Sequence, residues 1–188
     1  MVLYIKGGGA MNTSIKKYND LLIIGLILII PAIHEFGHFL GYVIDGVEVT
    51  FTYAFTFSER QTMLGVLGGP LINIIISILA IALIYIDNKH KGLWGIIGLV
   101  SIVSRFVNCF IVFLIGIVYN ISILENNDEG QLSTFIGTNT IFQYVLSIGI
   151  YTILMLIIIR LIKDNKMVLK IIAYTLILSL IIILSQFF

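Results

Sequence analysis

Two histidines four residues apart, His34 and His38, with Glu35 directly after the first, make the pattern HEFGH inside the stretch IPAIHEFGHFLGY at 30–42. On an α-helix such histidines share one face, so both imidazoles can reach the same metal ion. The adjacent glutamate then stands where it can take a proton from a water that the metal activates. This is the chemistry of zinc hydrolases: zinc brings the pKa of water toward ~7, and the carboxylate accepts the proton as the oxygen attacks a carbonyl. Histidines at this spacing also arise by chance and bond to backbone carbonyls. Here they lie in an apolar run, where every ionisable group is costly, and three within five residues need a cause such as a metal.

A tetrahedral catalytic zinc takes a third protein ligand and leaves its fourth position to water. The acids of ENNDEGQLSTFIG, namely Glu125, Asp128 and Glu129, are the candidates. Position alone leaves all three open. Asp128 precedes Gly130 and a short helical pattern, which would set it at a helix N-terminus, dipping toward the histidines. The alternative is a solvated acidic loop.

The elements that must hold these residues read as membrane spans. The 188-residue chain is 59% hydrophobic and 11% charged, too apolar and too poor in charge for an ordinary soluble domain. Apolar runs at 21–43, 63–86, 93–118, 140–162 and 167–187 each supply the ~20 residues that cross ~30 Å of hydrocarbon. The expected fold is an α-helical polytopic membrane protein with about five transmembrane helices. It divides into a tail at 1–19, a core at 20–140 and two last spans at 141–188 without an assignable motif. The triple glycine in residues 1–10 reads either as an appended tag, with Met11 the native start, or as a short native tail.

Basic residues fix an orientation. Lys6, Lys16, Lys17, Lys89, Lys91, Arg160, Lys163, Lys166 and Lys170 all fall on one side of five crossings, so the N-terminus is expected in the cytoplasm. A microbial cell membrane is the expected setting. The net charge of +1 and the lack of a basic patch argue against nucleic acid as a partner. Cys109 has no second cysteine to pair with and gives no compartment signal.

Between the first two spans, residues 47–57 (VEVTFTYAFTF) alternate with period two and are rich in β-branched and aromatic residues. A lone strand near a membrane needs a partner, so the segment is expected to fold back as a hairpin or to wait for another chain. Gly37 and Gly41 would let a neighbouring helix come close to the histidines. Pro31 either bends the first span or is a tolerated membrane proline. Arg105 and Asn108 lie mid-span, three apart and near one face. A structural ion pair is the expected role of Arg105, since nothing in the spacing brings it to the metal.

Taken together, HEFGH in the first span, GGPLIN at 68–73 in the second and NNDEG at 126–130 resemble the site-2 protease family of intramembrane zinc metalloproteases. The order and rough spacing agree over about residues 20–140. The resemblance implies one zinc per chain on His34, His38 and Asp128, with Glu35 as the base. It implies that Asn73 orients substrate or polarises its carbonyl, and that Gly69 and Pro70 lie along the substrate path. Phe51 and Tyr53 of the strand would hold an unwound substrate by β-augmentation. The third motif departs from the family pattern: its prolines are missing and Glu129 separates Asp128 from Gly130, so Glu125 and Glu129 stay as alternates. The implied activity is hydrolysis of a peptide bond in or near a transmembrane segment of another protein. The implied partners are that substrate, the lipid bilayer and a regulatory membrane protein or a further copy of the chain. The competing readings are a metal or proton transporter and a catalytically inactive, helix-binding member of the fold.

Overall fold

A computed structural model describes residues 20–53, 55–87 and 89–185. The tail at 1–19, with Lys6, Lys16 and Lys17, lies outside the described residues. Apolar runs become helices where expected: α1 (Asp20–Ile44), α2 (Met63–Ile86), α3 (Lys91–Val118), α6 (Thr140–Ile162) and α7 (Asn165–Ser185). Two short helices, α4 (Ser122–Glu125) and α5 (Asp128–Ile136), fill the acidic segment, and strands β1 (Val49–Phe51) and β2 (Thr56–Ser58) lie between α1 and α2. Among the described residues, α1, α2, α3 and α6 are each long and apolar enough to cross a membrane. The fifth expected span is α7, 21 residues long, and it is not counted among those four.

Side-chain caps set the helix starts. The Thr62 hydroxyl accepts from the Gly65 N–H at 3.1 Å to open α2, and Asn139 accepts from the Phe142 N–H at 3.2 Å to open α6. At the α2–α3 turn Asp87 accepts from the Lys89 and His90 N–H groups at 3.1 and 3.2 Å, and from the Trp94 indole at 3.1 Å. The Lys170 ammonium pairs with Asp20, so α1 begins at the end of the bundle where α7 begins.

The centre of the bundle is α3. Its apolar window is 56% buried, against 28% for α1 and 22% for α6, and Ile96, Leu99, Val100 and Ile102 are closed to solvent. Leu28, Ile75, Ile78, Ile153 and Leu156 point outward on the flanking helices, as a lipid-facing surface requires. α1 and α2 touch backbone to backbone. A Cβ on Gly37 would stand 2.8 Å from the carbonyl carbon of Gly68, and one on Gly41 would stand 2.9 Å from the Gly65 Cα. No residue larger than glycine fits there without parting the helices.

The alternating segment at 47–57 folds back on itself, the first of the two forms expected of it. It is a two-stranded antiparallel hairpin, with Val49 opposite Ser58 and Phe51 opposite Thr56. Thr52 breaks it: its N–H and hydroxyl both donate to the Phe55 carbonyl, at 2.9 and 2.8 Å, which closes the turn. The period-two pattern simply runs on through the turn residues, which hides the reversal. The hairpin folds back along α1. Thr56 donates to the Glu35 carbonyl at 2.9 Å, Phe51 packs on Phe36 and Phe39, and the Tyr53 hydroxyl donates to the Leu28 carbonyl. Leu28 is sixteen residues before the end of α1, or roughly 24 Å along the helix, so the hairpin lies back along much of that apolar helix.

Candidate metal centre

The sequence places His34 and His38 on one face of α1, and α2 packs on that face. Gly69 makes room for both rings: a Cβ there would stand 2.7 Å from Cε1 and Nε2 of His34, and nearer still to Nε2 of His38. The His38 Nδ1–H donates to the Gly65 carbonyl at 2.7 Å, and the His34 Nδ1–H donates to Asn73 Oδ1 at 2.9 Å. Both bonds leave the Nε2 lone pairs free and turn them the same way, which is how metal-ligating imidazoles are commonly fixed. The two Nε2 atoms are 3.1 Å apart.

Asp128 comes to this pair from a distant part of the chain. It is the first residue of α5, and Asn127 is the N-cap. Gly130 seats that helix: a Cβ there would stand 2.6 Å from the Leu124 carbonyl carbon. From this perch Asp128 Oδ2 lies 3.1 Å from His34 Nε2, and Oδ1 lies 3.4 Å from His38 Nε2. Of the three acids, it alone reaches the histidines. Glu125 is exposed, and Glu129 is buried but turned away.

The donor set fits a small tetrahedral ion. Ligands about 2.0–2.1 Å from zinc stand roughly 3.3 Å from one another. The two Nε2 atoms, 3.1 Å apart, each stand near that distance from one carboxylate oxygen of Asp128, His34 at 3.1 Å from Oδ2 and His38 at 3.4 Å from Oδ1. Glu35 is half-buried, and its carboxylate lies within 4.8 Å of ligand nitrogens on both histidines. A water held by the histidines would be within reach of that carboxylate.

The other expected residues surround these three at varying burial. Asn73, expected to act on substrate, is 1% exposed and fully engaged: its Oδ1 holds His34 and its Nδ2 donates to the Ser101 carbonyl and hydroxyl at 3.3 and 3.1 Å. The Ser101 contacts fix which way the amide faces. Gly69 and Pro70 are buried, Gly69 against both imidazoles, whereas Phe51 and Tyr53 are exposed on the hairpin. Asn108 is exposed and does not share the buried face of Arg105.

Arg105 does form the expected ion pair, but beside His34 and Asp128. One guanidinium nitrogen, Nη2, lies 2.8 Å from Asp128 Oδ2 and 2.6 Å from Glu129 Oε1, and Nη1 is 3.5 Å from His34 Nε2. Tyr151 was not foreseen at all. It reaches Glu129 Oε1 from α6 at 3.0 Å. A signal existed: Tyr144 and Tyr151 stand seven apart in an aliphatic span, hence on one face.

Comparison with protein-family models, with curated proteins and with solved structures finds no match for this chain.

Proposed function

We propose that the chain is an intramembrane zinc metalloendopeptidase that cleaves in or near a transmembrane segment of another membrane protein. The observation that carries this reading is the convergence of His34, His38 and Asp128 from α1 and α5, with Glu35 beside them and both remote imidazole nitrogens pinned. Zinc, when bound, supplies Lewis acidity that makes water a nucleophile near neutral pH. His34, His38 and Asp128 would hold it. Glu35 takes the proton from the attacking water and passes it to the leaving amine. Asn73 keeps His34 in the tautomer whose Nε2 can ligate.

A helical substrate hides its carbonyls, so it must present extended backbone. The hairpin supports a place for it. β2 is bonded to the Glu35 carbonyl through Thr56, and a two-stranded sheet leaves backbone groups free along its outer edges. An unwound segment pairing there would lie next to Glu35. The reading also sets the N-terminus of α1 in the cytoplasm and the metal centre in the outer half of the membrane, about 14 Å along α1 from its outer end. The basic turns at Lys89–Lys91 and Arg160–Lys170 support that orientation.

The test is cleavage of reporter transmembrane segments in proteoliposomes, comparing wild type with Glu35→Gln. The variant is expected to keep zinc and lose about 10²–10⁴-fold in rate. Zinc-loaded wild type that cleaves no faster than Glu35→Gln across a panel of segments would overturn the protease reading.

A further inference from the structure

The span α6 carries no motif, yet it turns two tyrosines into the bundle. Tyr144 is closed to solvent and Tyr151 is 2% exposed. Tyr144 donates to the Leu124 carbonyl at 3.2 Å, and Tyr151 donates to Glu129 Oε1 at 3.0 Å. Both hydroxyls therefore hold the segment that delivers Asp128. Glu129 is 1% exposed and accepts on both oxygens: Arg105 and Tyr151 bind Oε1, and Asn127 binds Oε2 at 3.0 Å. A buried arginine and a buried glutamate are each costly, and an ion pair far from any site would be a weak reason to keep them. Their place beside Asp128 gives a stronger one.

A carboxylate ligand must be ionised and held in one orientation. An arginine donor on Oδ2 does both, and it leaves Oδ1 directed toward His38. Arg105 alone would also set a positive charge next to the ion. Glu129 offsets it: with a divalent ion bound, the charges of Arg105, Asp128, Glu35 and Glu129 leave the centre neutral, as a low-dielectric layer favours.

We propose that Arg105, Glu129 and Tyr151 are positioning residues for the metal, forming a tether that runs from α6 through Glu129 and Arg105 to Asp128 and fixes the third ligand. This rests on the metal reading given above. It gives α6, which carries no motif, a role in the site.

The test uses the full chain in detergent micelles and two readouts that a purely structural contact would not move. One is zinc affinity by competition with a chromophoric chelator. The other is the visible spectrum of the Co²⁺-loaded protein, which reports ligand geometry. Glu129→Gln is expected to weaken zinc about 10–100-fold and Tyr151→Phe about tenfold, each with an altered cobalt spectrum. Tyr151→Phe removes a single oxygen, so it decides the matter even where Glu129→Gln fails to fold. Tyr174→Phe, which removes a phenolic oxygen bonded to Asp20 at the other end of the bundle, is expected to leave both readouts unchanged. Zinc affinity within about twofold of wild type in Tyr151→Phe with an unaltered spectrum would overturn the tether alone, as would an equal loss in Tyr174→Phe. A wild type that takes up no zinc would overturn the tether and the metal reading together.

Discussion

Along the single helix α1, two kinds of interior follow one another. Ile23 and Ile27, 2% and 5% exposed, sit in an aliphatic cluster with Leu99, Ile158 and Ile162 of α3 and α6. Two turns further on, His34 and His38 face Asn73, Arg105 and Asp128. The aliphatic end is held by dispersion between many interchangeable side chains, because lipid supplies no hydrophobic force between helices. At the polar end each group has one or two specific partners, and losing one leaves another unsatisfied in low dielectric. Substitutions at the aliphatic end should therefore act on stability, and those at the polar end on metal binding first.

The largest effect is expected from Gly69→Ala, whose new methyl would meet both imidazoles. Zinc affinity should fall by about 100-fold or more. Gly25→Ala on α1 should leave it unchanged, since nothing lies within 4 Å of that position. Equal zinc affinity in both variants would break the contrast between the two ends. Asn73→Ala comes next. It frees the His34 ring, and chelator competition should show zinc binding weaker by about 10–100-fold. Leu99→Ala sharpens the comparison from the other side. Unfolding in a mixed-micelle titration should show a loss of about 2–3 kcal/mol, with zinc affinity within about twofold of wild type. A large loss of zinc affinity there would mean that the two interiors are not independent.

The smallest effect concerns the α2–α3 turn. Donors from Trp94 first, and then from His90, hold the Asp87 carboxyl at about 2 instead of its ordinary 3.8. A depressed folded value means that the contribution is present above about 3.8 and lost as pH falls through about 2. Trp94 fluorescence should change across that window and should not do so in Asp87→Asn.

The helices were legible because apolar runs end at charges and turn residues, and their limits fall within about two residues of the expected ones, except the expected end at 187, which lies outside the described residues. HEFGH placed His34 and His38 on one face of α1 through helical spacing alone. Asp128 was legible as one of three acids, and its helix N-terminus then lifted it toward the histidines while Glu129 turned to Arg105. The tether was not legible. Which face of α3 meets which face of α6 depends on packing across more than a hundred residues from α1, and no local pattern encodes it. Arg105 could be read as paired but not located, and Asn108, three residues on, lies on an exposed face. The hairpin turn was hidden because Thr52 and its neighbours continue the alternation that makes a strand.

The central claim is that His34, His38 and Asp128 hold a zinc ion, and metal content tests it most directly. Wild type and His38→Ala, purified side by side and measured by elemental mass spectrometry, should give about one zinc per chain in the first and none in the second. A folded wild type that holds no zinc after zinc is offered, or a His38→Ala variant that holds as much as wild type, would contradict the account.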